Sequence, residues 1–213
     1  MRDKKHSLLE GLTRKNAVLS EGMVIAPIVV LCDTLPKSAM LSLAFSLLTF
    51  LAVAIGSYYP RKLPYAVRVI LYALTAALLY IPVALFCEFI SPDVYASLGT
   101  MYVPGIEEAA SAAVMYLPLL AVNSFIVLHS ELYFYRMQRG PMLISLLCHC
   151  LGFSLTACLI GFLREILAYG SVAGHVVDMP LVMRALATPW GGFILLGILC
   201  ALHRVLFLKK EEA

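Results

Sequence analysis

The stretch Ala17-Val18-Leu19-Ser20-Glu21-Gly22-Met23-Val24-Ile25-Ala26-Pro27-Ile28-Val29-Val30-Leu31-Cys32-Asp33-Thr34-Leu35-Pro36 decides how the chain is read. Its apolar part, Ala17 to Cys32, is short for a bilayer crossing, which takes about 20 residues. Gly22 and Pro27 interrupt it, and Asp33-Thr34-Leu35-Pro36 ends it. It reads as a half-helix or broken helix. Such elements persist at membrane depth only where protein or a cavity surrounds the freed backbone groups. Basic residues precede it (Arg2, Lys4, Lys5, Arg14, Lys15), as in a signal peptide. Gly22 to Leu31, however, leads into Asp33, Pro36 and Lys37 rather than a small-residue cleavage site, so a retained segment is expected.

Composition explains why a membrane is the right frame. Of 213 residues, 62% are apolar and 14% charged, and the mean hydropathy is +0.90. Soluble domains carry about 45–50% apolar and about 25% charged residues, and a soluble fold of this size could not hide the excess. The net charge is only +3. No Lys/Arg run with interleaved aromatics suggests a nucleic-acid groove.

Outward from the broken segment, further spans are expected at about Ser38–Tyr59, Val67–Ile90 (with Pro82 as a kink), Ala109–Phe134 (interrupted by Pro118), Pro141–Tyr169 and Trp190–Leu208. Tyr58 and Tyr59 suit an interfacial belt. Residues 1–16 form a leader, 17–208 one membrane domain and 209–213 a tail. Lys and Arg concentrate in the leader, the 60–66 loop, the 135–140 loop and the tail. The 33–37, 91–108 and 170–189 segments hold only Lys37 and Arg184, with several acids. The positive-inside rule then gives six crossings with both termini cytoplasmic. This holds only if the irregular first stretch crosses.

Few residues offer chemistry. Glu88, Glu131, His149, Arg164 and Glu165 are the main ionisable groups within spans, and a charge at mid-bilayer costs about 2.5–3.5 kcal/mol on insertion scales. Glu88 and Glu131 lie near span ends, where solvation is expected. Arg164 and Glu165 are helix neighbours and cannot pair side by side. Each needs another partner, in a structural ion pair or an ion or proton path. Cys148-His149-Cys150 superficially offers three ligands, but positions i and i+2 point about 200° apart, and no CxxC zinc pattern is present. No GxxxxGK[ST], GxGxxG, HExxH or GxSxG motif occurs. Among the six cysteines (Cys32, Cys87, Cys148, Cys150, Cys158, Cys200), Cys32 stands apart because it ends the broken segment. The others read as small apolar side chains, and a disulfide framework is not expected.

Several stretches resemble the membrane subunits shared by the Rnf complex and the sodium-pumping NADH:quinone oxidoreductase, Nqr, with the RnfE/NqrD branch fitting best. Asn16-Ala17-Val18-Leu19 followed by Leu31-Cys32-Asp33-Thr34-Leu35 resembles NPVLVQ…GLCPTLAV. Arg68-Val69 and Tyr95-Ala96-Ser97-Leu98-Gly99 resemble RIPV…YxSLGIFIPL. Leu117-Pro118-Leu119-Leu120-Ala121-Val122-Asn123-Ser124 resembles IPLIVTNC. Gly152-Phe153-Ser154-Leu155-Thr156 and Gly161-Phe162-Leu163-Arg164-Glu165-Ile166-Leu167 resemble GFTLAL…GSLREIIG. The resemblance covers about residues 7–208.

The resemblance implies an all-α integral membrane fold of six helices, built as two inverted three-helix repeats that each open with a half-helix. It implies residence in a bacterial or archaeal plasma membrane and a homologous partner of opposite topology, RnfA/NqrE-like. It also implies a 2Fe-2S cluster held by two cysteines from each of the two subunits. The chain would then be a non-catalytic subunit of a redox-driven Na+ or H+ translocase of the ferredoxin:NAD or NADH:quinone oxidoreductase type. Cys32 matches the first cluster position. The second falls on Ser124, and a hydroxyl is a poor replacement for a thiolate on iron. About 14 residues near Gly105 to Leu117 are additional to the family pattern. A non-redox transporter or assembly paralogue on the same scaffold is the alternative reading.

Overall fold

A computed structural model describes residues 10–12, 16–60, 62–98, 117–132, 138–177 and 182–207. The tail, most of the leader, Arg136 and nearly all of the additional segment near 105–117 lie outside the described residues. The chain is mostly helical. A 3-10 turn at Glu10–Leu12 precedes α1 (Ile25–Leu31), α2 (Leu35–Gly56), α3 (Tyr65–Ile90) and α4 (Pro92–Ser97). After a 3-10 turn at Leu117–Leu120 come α5 (Ser124–Leu132) and α6 (Arg139–Tyr169). A hairpin of β1 (Ser171–Val172) and β2 (His175–Val176), a 3-10 turn at Arg184–Ala187 and α7 (Pro189–Phe207) follow. The small hairpin is a departure from an all-α chain.

Among the described residues four helices, α2, α3, α6 and α7, are long and apolar enough to cross a membrane. They begin and end within a few residues of their expected spans. α3 runs through Pro82 without ending. The fourth expected span divides differently. Pro118 sits in the first turn of a 3-10 segment, where its missing N–H costs little, and the break falls at Ala121-Val122-Asn123. The Asn123 Oδ1 accepts the Phe125 N–H at 2.7 Å and so starts α5.

The core is the antiparallel pair of α2 and α6. Phe45 of α2 stacks on Phe153 of α6 at 3.8 Å between centroids, and Phe125 of α5 meets Phe45 edge-on. Near the far end Gly161 allows the closest approach, because a Cβ there would overlap the Ser38 hydroxyl. α3 and α7 leave much of their length outward, including Ile70, Leu74, Leu78, Ile81 and Leu85 on α3 and Ile194, Ile198 and Leu202 on α7. Such continuous apolar exposure is untenable in water and ordinary against lipid.

The first segment climbs alongside α6. Gly11 lies against the His149 ring. The Asn16 amide donates to Gly152 O at 2.8 Å and Thr156 Oγ1 at 2.9 Å. The Val29 and Cys32 carbonyls meet Arg164. From His149 to Arg164 along a helix is about 22 Å at 1.5 Å per residue. The segment therefore follows α6 over about that length, yet only Ile25–Leu31 is α-helical. Residues 17–21 form a turn, and Val24 takes a left-handed backbone, φ 57°, that a β-branched residue adopts only under packing constraint.

Candidate functional site

The break between α1 and α2 gathers several buried polar side chains, Asp33, Lys37, Ser38, Arg164 and Glu165. Helix α1 ends at Leu31 and α2 begins at Leu35, so carbonyls at one end and amides at the other lose their intrahelical partners. Thr34, at the N-cap of α2, makes no side-chain cap. Two adjacent residues of α6 supply the missing partners.

Arg164 is 1% exposed. Its Nη1 donates to Val29 O at 2.7 Å and Cys32 O at 2.8 Å. Its Nε reaches Leu186 O at 2.9 Å, and Nη2 reaches Ala187 O at 2.9 Å and Thr188 O at 3.3 Å. The guanidinium thus closes the end of α1 and the turn that leads into α7. Gly192 lets α7 lie over it, since a Cβ there would stand 3.3 Å from Arg164 Cζ. Glu165 faces the other way. Its Oε2 accepts the Leu35 N–H at 2.8 Å, while Oε1 accepts from Gly174 N–H at 3.1 Å and Ser171 Oγ at 3.3 Å.

The signs match the helix ends. The cation meets the carbonyl terminus of α1, which carries partial negative charge. The anion meets the amide terminus of α2, which carries partial positive charge. Arg164 and Glu165 point apart, as helix neighbours must, and both are spent on backbone groups. Between them, Asp33 Oδ2 and Lys37 Nζ form a buried pair at 2.9 Å. An open cavity of about 450 Å³ adjoins this side and is lined by Thr34, Lys37, Asp93, Glu165 and Tyr169, among others.

Cys32 is fully buried, with the Ser38 hydroxyl beside its thiol. Ser124 is exposed at the start of α5. The turn before it, Leu117–Leu120, packs near α1, so the two interrupted elements are neighbours. These residues do not fit the half-site of a cluster that takes two thiolates from each of two chains. One position offers a thiol enclosed by this chain's own atoms, and the other an exposed hydroxyl. Among the described residues no three His, Cys, Asp or Glu side chains are placed to hold a metal ion.

The expected solvation of Glu131 is corrected. Glu131 is paired bidentately with Arg68, Nε to Oε1 at 2.8 Å and Nη2 to Oε2 at 2.6 Å, with both side chains largely buried. A bidentate guanidinium–carboxylate fork satisfies both charges without water. Glu88 is exposed, as its position near a span end suggests. The Asn16 cap is a site element that sequence reasoning misses: besides its bonds to α6, its Oδ1 accepts the Val18 and Leu19 N–H groups. It also misses a buried group around His129, although His149 within that group stands out as an ionisable residue inside a span.

The fold and this site define a multi-pass helical membrane protein with an interrupted helix clamped by buried charges. A family model described as Rnf-Nqr subunit, membrane protein, matches residues 5–200. The chain belongs to the Rnf-Nqr subunit family. It is similar to the E-type subunit of the ion-translocating oxidoreductase complex from Shewanella baltica (strain OS185), 26% identical over 220 residues, covering 95% of this chain and 88% of that protein. The protein of the same name from Cronobacter sakazakii (strain ATCC BAA-894) is 26% identical over 174 residues, covering 81% and 69%.

Proposed function

We propose that the chain is the E-type membrane subunit of an Rnf/Nqr-type ion-translocating oxidoreductase complex. It helps couple electron transfer to Na+ or H+ movement across a bacterial or archaeal plasma membrane. The observation that carries this reading is the clamped break: α6, through Arg164 and Glu165, holds both ends of the interruption in the first element. A broken helix fixed against the central helix pair is how membrane folds place irregular backbone at depth for ions or cofactors.

The finer topology belongs to the same proposal. Six crossings form two inverted three-helix repeats: α1, α2 and α3, then the interrupted Leu117–Leu132 element, α6 and α7. Arg68, near the start of α3, pairs with Glu131, near the end of α5, which supports a shared side for those two helix ends. Glu165 ties the start of α2 to the 171–174 turn, which supports the opposite side for those two. The first side is the basic one, hence cytoplasmic, together with both termini. Reporter fusions at both termini and after Lys62 and Gln138 should all report cytoplasmic. A periplasmic signal from any of them refutes the arrangement.

The partner in this reading is a homologous subunit of opposite topology, RnfA/NqrE-like, and Cys32 is a candidate iron ligand, with Ser124 at the family's second position. The test is to tag the chain in its native membrane, purify the complex, identify the co-purifying subunits and measure iron by analysis and EPR. If iron is unchanged by Cys32→Ala, Cys32 is not a ligand. Ser124 and the enclosure of Cys32 favour a second reading, a non-redox paralogue. Ion uptake by proteoliposomes of this chain alone, without an electron donor, would support that one.

A further inference from the structure

Helix α3 is the least covered of the four long helices. Of its span 17% is buried, against 56% for α2 and α6 and 28% for α7. Ile70, Leu74, Leu78, Ile81 and Leu85 stand outward along one stripe. Tyr72, Ala76, Val83 and Cys87 face inward on the opposite one. Pro82 lies inside the helix and is exposed in the outward stripe. A proline has no N–H, so the carbonyl four residues earlier, that of Leu78, loses the donor that closes its turn. Leu78 is 64% exposed. It stands close to the middle of Tyr65–Ile90, about 18 Å from the nearer end at 1.5 Å per residue.

We propose, on the reading of this chain as a subunit of a complex, that the outward face of α3 docks a transmembrane helix of another subunit, and that the docked helix carries a hydroxyl or amide donor opposite the Leu78 carbonyl. Water is absent at that depth, and a carbonyl freed by proline is tolerated where a neighbouring helix supplies a donor. Lipid chains supply none. The polar side chains of α3 are engaged on its other faces. The Thr75 hydroxyl donates to Leu71 O at 2.6 Å and meets Tyr59 of the α2–α3 connection. Tyr80 bonds to Tyr95 of α4, and Arg68 holds Glu131. A second copy packed α3 against α3 would not serve either. Between Val67 and Phe86 the exposed positions of this helix are Val, Ile, Leu, Ala, Pro and Phe only, so such a pair would set each freed carbonyl against apolar atoms. A hydrogen bond between helices, surrounded by aliphatic packing, is how spans associate where lipid is as apolar as they are.

The test keeps the tagged full chain in its native membrane. A benzophenone-bearing amino acid is placed at Leu78 and, separately, at Leu74, and the membranes are irradiated before solubilisation. The expected result is an adduct from both positions with one membrane subunit that also co-purifies with the tag. Pro82→Ala restores the N–H and occupies the Leu78 carbonyl, so recovery of that subunit should fall by about threefold. The isolated variant chain in detergent should melt no lower than wild type. The proposal is overturned by adducts with lipid alone, within the chain or with a second copy of it. It is also overturned if Pro82→Ala retains the subunit in full, or if that variant melts lower, which would place the donor to the carbonyl inside the chain. The cross-links are read with Pro82 in place and do not depend on how the variant folds. If subunits co-purify and Leu78 reaches none of them, the docking face fails alone; if nothing co-purifies, the subunit reading fails with it.

Discussion

Replacing Arg164 with Met removes the clamp while keeping most of the side-chain volume. Five carbonyls then lose a donor, four of them at 2.9 Å or less. A buried acceptor left without its partner costs about 1–3 kcal/mol. Taking the low figure for the four close contacts, because carbonyls have a second lone pair, gives a loss of about 4 kcal/mol. Arg164→Lys keeps the charge but offers a point donor in place of a planar fork, so it should recover less than half of that loss. Two assays read the effect. Unfolding in detergent should show the loss in stability directly. In a background with Cys32 as the sole cysteine, a membrane-permeant maleimide should leave the wild type unlabelled, since Cys32 is fully buried. It should label Arg164→Met, as the seam between α1 and α7 loosens. If stability falls by less than about 1 kcal/mol and Cys32 stays protected, the guanidinium is not what holds the break.

Three further outcomes follow from the same geometry. Glu165→Gln should cost about 1–2 kcal/mol, because its NH2 confronts donors where the carboxylate accepted; hydrogen exchange should quicken at the Leu35 and Gly174 amides and not along the α2–α6 core. Gly161→Ala should destabilise by about 1–3 kcal/mol through overpacking against Ser38; thermal unfolding of Gly161→Ala with Ser38→Gly should recover part of it, and a neutral single variant would refute the close approach. Arg68→Ala and Glu131→Gln should be strongly non-additive, with a coupling of about 1–3 kcal/mol in a double-mutant cycle; additivity would mean that the fork contributes nothing.

The long elements were legible because apolar length is a local property. α2, α3, α6 and α7 follow from runs that only a bilayer tolerates. The interruption near Cys32 was equally local, written in Gly22, Pro27, Asp33 and Pro36. What escaped is everything that joins distant residues. Arg164 and Glu165 could be seen to need partners, but nothing nearby says that those partners are backbone groups some 130 residues earlier. Glu21 reads as an ordinary turn residue until α5 brings His129 against it. The position of the second break was hidden for another reason. Pro118 is the louder signal, yet a proline in a first turn is tolerated, and the quiet Asn123 cap does the separating.

Adjacent residues of opposite charge on one helix are usually a poor arrangement, since they cannot pair. Here that failure is what makes them fit. A broken helix presents two unsatisfied termini of opposite polarity, separated by the few residues of the break. Neighbouring side chains on a facing helix point apart by about the angle needed to reach one each. An ion passing by way of Glu165 would have to displace the Leu35 and Gly174 amides from its oxygens, freeing the start of α2. An anion approaching Arg164 would have to displace the carbonyls that end α1. Either event loosens the segment that carries Cys32. If ion movement and the state of the Cys32 segment are coupled in this protein, the shortest physical connection between them is this pair of residues on α6.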